Sequence, residues 1–123
     1  MRKWLFFGAF FGLTAVGAGA YGWHMLEGDA ALREIFNLGV EYQMWHALAL
    51  LAVAWLSTRC EGRAAKAVTV AGWAFAIGIV AFSGTLYYFS MTEELPLVGL
   101  APAGGILLIL GWGALMWSAL ARK

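Results

Sequence analysis

"AVTVAGWAFAIGIVAFSGTLYYFSMT", residues 67–92, contains no Asp, Glu, Lys or Arg. Lys66 precedes it and Glu93 follows it. The stretch exceeds the roughly 20 apolar residues that a helix needs to cross the ~30 Å hydrocarbon core of a bilayer. It lacks the polar–apolar alternation of a membrane barrel strand and suits a helix that is apolar all round. Residues 4–26, 42–58 and 95–121 are equally free of charge. Four such gaps in one chain of 123 residues predict four transmembrane helices in a single membrane domain, 1–123, with spans near 4–26, 40–58, 67–90 and 102–120. Composition agrees, because only 12% of residues are charged, half of what a soluble domain carries (about 25%).

The opening "MRKWLFFGAFFGLTAVGAGA" also has the basic start, apolar middle and small residues of a secretory signal. Its apolar run continues through Tyr21, Gly22 and Trp23, so it is expected to stay as the first helix. The lone Cys60 can make no internal disulfide. A net charge of +1 gives no reason to expect nucleic acid.

Basic residues near span ends stay on the cytoplasmic side. Arg2, Lys3, Arg59, Arg63, Lys66, Arg122 and Lys123 fall on one side of a four-span chain, and Arg33 alone falls on the other. Glu27, Asp29, Glu34, Glu41, Glu93 and Glu94 share Arg33's side. Both termini are therefore expected inside (cytoplasmic, or the topological equivalent). Between the first two spans, Ala31, Leu32, Ile35 and Phe36 recur at helical spacing after Asp29, a residue suited to capping. This predicts a short helix lying on the outer interface. Helix 4 is expected to start at Pro102, which suits a first turn, with residues 95–101 as extended chain.

Sixteen glycines punctuate the chain. Gly8 and Gly12 on helix 1, and Gly104 and Gly105 on helix 4, are candidates for close helix packing, since small residues let backbones approach in lipid. They can serve the internal bundle, or a homo-oligomer or larger membrane complex.

Polar side chains gather toward the outer side. His24 closes helix 1, Glu41, Tyr42, Gln43 and His46 open helix 2, and Ser83 and Tyr87 approach from helix 3. Tyr42 and His46 are four apart and share a face. With helix 2 starting at Val40, His46 would lie roughly 9 Å below its start. Tyr and Trp collect at membrane interfaces, which accounts for Trp23 and Trp45 outside and Trp4, Trp55 and Trp117 inside. It accounts poorly for His46. The plainest reading is a buried His bonded to Tyr or Gln between helices. Ionisable groups within a membrane are also candidate sites. Glu41, Gln43 and His46 could line the outer vestibule of a small channel or transporter. His24 and His46 could hold a haem, but no cofactor is expected on balance and no metal motif is present. No nucleophile–base pair, phosphate loop or HExxH motif occurs, so no catalytic residue is proposed and the chain is not expected to be an enzyme.

Four ordered stretches carry a family resemblance: "GAGAYGWHML" at 17–26, "EYQMWHALALL" at 41–51, "FSGTLYYFSM" at 82–91 and "APAGGILLILGW" at 101–112. The chain resembles the small inner-membrane family that includes bacterial YgdD and YwdK and eukaryotic transmembrane protein 256. The resemblance spans nearly the whole chain. It implies four transmembrane helices and an inner or mitochondrial membrane, and it implies no activity. Matching positions are His24, Tyr42, Gln43, His46, Ser83, Gly84, Tyr87, Pro102, Gly104 and Gly105. Trp23, Thr85 and Ala101 depart from the pattern, and Trp23 crowds His24. The expectation is a non-catalytic accessory, assembly or structural subunit, in contact with membrane lipid.

Overall fold

The computed structural model describes residues 1–26 and 28–121. Glu27, Arg122 and Lys123, counted above among the flanking charges, lie outside the described residues. The described chain is helical: α1 (Arg2–Met25), α2 (Ala30–Leu56), α3 (Gly62–Thr92) and α4 (Leu100–Ala121). Consecutive helices pack antiparallel, α1 on α2, α2 on α3 and α3 on α4. α3 is buried along more than half of its apolar stretch, α1 and α4 along less than a quarter. The α2–α3 hairpin is thus the centre, and α1 and α4 flank it.

Three helices, α1, α3 and α4, are long and apolar enough to cross a membrane. α2 is not among them, because Arg33, Glu34, Glu41, Gln43 and His46 lower its mean hydropathy. At 1.5 Å per residue, α2 and α3 are about 40 and 46 Å long. Both outrun a ~30 Å hydrocarbon core.

Two boundaries differ from the sequence reading. The short interfacial helix does not exist as a separate element. Asp29 does cap a helix, its Oδ1 accepting from the Leu32 amide at 3.1 Å. That helix, however, is α2 itself, and it runs unbroken to Leu56. No proline interrupts residues 30–56, and Asn37 Nδ2 donates to Glu41 Oε1 one turn on, at 3.2 Å. The charges that end the apolar run mark a change of surroundings, not the end of the helix. Second, α4 begins at Leu100, two residues before Pro102. Gly99 adopts φ +86°, turning residues 97–100 back on themselves rather than leaving them extended. Pro102 still lies in the first turn. There its missing amide leaves no gap and its ring meets no carbonyl one turn back.

The core holds Trp4, Leu50, Val53, Val68, Phe75, Ile79 and Leu108. Trp4 is only 2% exposed, so it is a core residue and not the interfacial anchor its position suggests. Its ring lies on Gly72, where an added Cβ would sit 2.6 Å from the indole. Trp55 is exposed, with the Arg59 guanidinium over its ring.

The four glycines read as packing positions divide. A Cβ on Gly8 would meet Leu51 Cδ2 at 2.7 Å, and one on Gly104 would meet Phe82 N at 2.5 Å. Gly12 faces open space and Gly105 has ordinary clearance, 3.7 Å from Phe82. Gly111, unselected from the sequence, is as tight as Gly104, with a Cβ site 2.5 Å from the Phe75 ring.

Candidate functional site

Gln43 is the hub of the polar interior. It is 4% exposed, on the face of α2 that meets both α1 and α3. Its Nε2 donates to the Phe11 carbonyl at 2.9 Å and to Thr14 Oγ1 at 2.7 Å. Its Oε1 accepts from Tyr87 OH at 2.6 Å. The orientation of the amide follows from these partners, since a carbonyl only accepts and must face the nitrogen. One side chain thus ties three helices. One turn earlier, buried Ser83 Oγ donates to the Gly39 carbonyl at 2.7 Å. Gly39 is where the Tyr87 ring lies against α2, with its Cε1 2.9 Å from where a Cβ would stand.

His46 forms the second link, from α2 to α4. Its Nδ1 is 2.6 Å from the Tyr42 carbonyl, and Trp112 Nε1 donates to its Nε2 at 2.9 Å. A carbonyl cannot donate, so Nδ1 carries the proton and Nε2 offers the lone pair that the indole needs. The ring is fixed in one tautomer with both nitrogens engaged. The Phe75 ring lies 5.5 Å away and Trp112 meets it edge-on. Among the described residues, no buried side-chain N or O atom lacks a hydrogen-bond partner.

The candidate residues from the sequence separate into two groups. Tyr42, Gln43, His46, Ser83 and Tyr87 come together. Tyr42 contributes its carbonyl to His46 and its ring to Phe82 and Trp45. His24 and Glu41 do not join them. Both are exposed, and Glu41 is engaged with Asn37 on its own helix. Thr14 lies beside Gln43. From that level His24 lies about 15 Å toward one end of the bundle and His46 about 5 Å toward the other. The separation of about 20 Å does not bring the two histidines to one haem iron. Among the described residues, no group of three or more His, Cys, Asp or Glu is placed to hold a metal ion.

Depth is also corrected. His46 lies about 24 Å from the Ala30 end of α2 and about 15 Å from the Leu56 end. Gln43 and His46 thus sit near the middle of α2, whereas Tyr87 lies within two turns of the end of α3. Thr14 and Trp112 were missed from the sequence. Each carried a weak signal: Thr14 is the one Ser, Thr, Asn or Gln in α1, and Trp112 falls mid-helix, away from both interfacial belts. Beside His46, a groove of about 510 Å³ opens between α2 and α4, walled by Tyr42, Trp45, Phe82, Pro102, Ile109 and Trp112.

This arrangement predicts a ranking. His46→Leu breaks the α2–α4 bond and leaves the Trp112 indole without its acceptor. Interhelical bonds in membranes average about 0.6 and reach about 1.7 kcal/mol, so a loss of about 1–2 kcal/mol is expected. Tyr88, exposed and without such a bond, should change stability by less than about 0.5 kcal/mol on Tyr88→Leu. Melting both variants in detergent checks this, and equal midpoints would remove His46 from the stabilising network.

Residues 18–105 match the family described as "Protein of unknown function (DUF423)". The chain is 41% identical over 114 residues to the UPF0382 membrane protein YwdK of Bacillus subtilis, covering 91% of each chain. It is 38% identical over 122 residues to a UPF0382 membrane protein of Staphylococcus epidermidis, covering 98% of this chain and 97% of that one. It is 34% identical over 124 residues to one from Haemophilus influenzae, covering 99% and 97%. No solved structure matches. The resemblance drawn from the four ordered stretches is therefore correct.

Proposed function

The chain belongs to the DUF423 family of membrane proteins of unknown function, and from that premise we propose that it is a non-catalytic structural or assembly subunit of a membrane complex or homo-oligomer. The carrying observation is the closure of its polar interior. Gln43 spends its amide on Phe11, Thr14 and Tyr87, and His46 spends both nitrogens on Tyr42 and Trp112. A permeation path needs polar groups with capacity left for a permeant, and an active site needs a group free to react. Here those capacities hold helices together. Glu41, Gln43 and His46 also fail to make one vestibule, because Glu41 is exposed while the other two are buried. The flanking helices instead present bulky apolar side chains outward, among them Leu13 and Val16 of α1 and Ile109, Met116 and Leu120 of α4. Such faces suit lipid or partner helices.

The same reading takes all four helices across the inner (plasma) membrane with both termini in the cytoplasm. α2 qualifies on this view because its uncharged part, residues 42–58, has Gln43 and His46 paired with neighbouring helices, which relieves their cost in lipid. The orientation follows from the sequence, in which seven of the eight Lys and Arg fall on one side of a four-span chain. Native mass spectrometry after gentle extraction in native-like lipid tests the subunit role. A complex or homo-oligomer of fixed stoichiometry is expected, and a clean monomer would overturn it. A fluorescent reporter at the C-terminus tests the orientation, and it should light up in the cytoplasm.

A further inference from the structure

At the end of the bundle where α3 begins and α4 finishes, two hollows adjoin. The larger, about 890 Å³, is bounded by Arg59, Glu61, Arg63, Trp117 and Leu120. The smaller, about 320 Å³, is bounded by Arg63, Lys66, Ala67, Val70, Ala114 and Trp117. They share Arg63 and Trp117 and so form one continuous groove. The groove as a whole carries three cations, Arg59, Arg63 and Lys66, against a single carboxylate, Glu61. Its inner part runs about 10 Å along α3, from Arg63 to Val70, over an apolar floor. Arg63, Lys66 and Trp117 are exposed, and Arg59 is steadied by stacking on Trp55 at 5.0 Å.

We propose that this groove between the start of α3 and the end of α4 binds an anionic phospholipid. The order of surfaces matches such a molecule from head to tail. Arg59, Arg63 and Lys66 would take the phosphate and its second negative group. The Trp117 ring suits the boundary between headgroup and hydrocarbon, and one acyl chain would follow Val70 and Ala114. The net charge of +2 lining the groove selects against a zwitterionic lipid, whose headgroup brings its own cation. Basic pockets between membrane helices recognise anionic headgroups on these grounds. The proposal needs the membrane location of the chain and not its role as a subunit.

The test uses the full chain in phosphatidylcholine nanodiscs. Native mass spectrometry would count retained phosphatidylglycerol against phosphatidylcholine of the same acyl composition. At about fivefold per cation, Arg63 and Lys66 together should give the anionic lipid an advantage of about 25-fold. Arg63→Gln with Lys66→Gln should abolish that advantage. Arg2→Gln with Lys3→Gln, a basic pair on α1 outside the groove, should preserve it. Equal retention of both lipids by the unaltered chain would overturn the proposal. So would persistence of the preference in the first double variant, or equal loss in the second, which would point to a general basic belt instead.

Discussion

Gly104→Ala is expected to destabilise the bundle by about 3 kcal/mol, the upper part of the range for overpacking a close contact. The added methyl would stand 2.5 Å from the Phe82 amide nitrogen, 2.9 Å from Ala81 Cβ and 3.0 Å from the Ala81 carbonyl carbon. Two of these are backbone atoms, and no rotamer change can move them aside. α3 and α4 would have to separate, and the Gly78–Leu108 and Gly111–Phe75 contacts on the same seam would loosen with them. The neighbouring position is the control. A Cβ on Gly105 meets only the edge of the Phe82 ring, at 3.7 Å, so Gly105→Ala should stay within about 0.5 kcal/mol of the parent. Chemical unfolding in detergent, followed by tryptophan fluorescence, reads both. Equal losses at the two positions would mean that α4 presents a different face to α3.

Gln43→Leu is expected to remove about 2 kcal/mol. Leucine keeps much of the volume but abolishes three interhelical hydrogen bonds, each worth about 0.6 kcal/mol on average in membranes. Thr14 keeps its own bond to the Phe10 carbonyl at 2.9 Å, whereas the Tyr87 hydroxyl loses its acceptor. The pairing makes a sharper statement than the single loss. If Tyr87 is held through Gln43, then Tyr87→Phe should cost clearly less in the Gln43→Leu background than in the parent. Strict additivity of the two substitutions would show that the 2.6 Å bond contributes nothing measurable.

The class of fold was legible because charge is so costly in hydrocarbon that its absence over residues 67–92 leaves one reading. The ends of the helices were less legible. Arg33, Glu34 and Glu41 mark where the chain leaves an apolar environment, but a helix satisfies its own backbone and can continue past that point. Starting α2 at Val40 rather than Ala30 placed His46 too close to the start of its helix. Tyr42, Gln43, His46, Ser83 and Tyr87 could be gathered from topology alone, because antiparallel neighbours bring them to similar depth. Their partners Thr14 and Trp112 could not. Which way α1 and α4 are rotated about their axes depends on fits such as Gly8 on Leu51 and Gly111 on Phe75, and no periodicity in one helix reports its rotation against another. The same limit explains His24 and Glu41, which have the right residue types but face outward.

The shortfall in the mean hydropathy of α2 bears on how the protein is made. A segment carrying Gln43 and His46 is a poor candidate for release into lipid by itself. Its neighbours are well placed to help, because α1 precedes it in the chain and carries the Phe11 carbonyl and Thr14 hydroxyl that Gln43 bonds in the finished fold. Tyr87 follows on α3, and Trp112 arrives last, on α4. On the four-span reading, α2 would dwell at the insertion machinery until α1 and α3 can receive it. Synthesis order would then be part of the folding route. Gln43→Leu should have opposite effects at the two stages, easing the insertion of α2 while weakening the finished bundle.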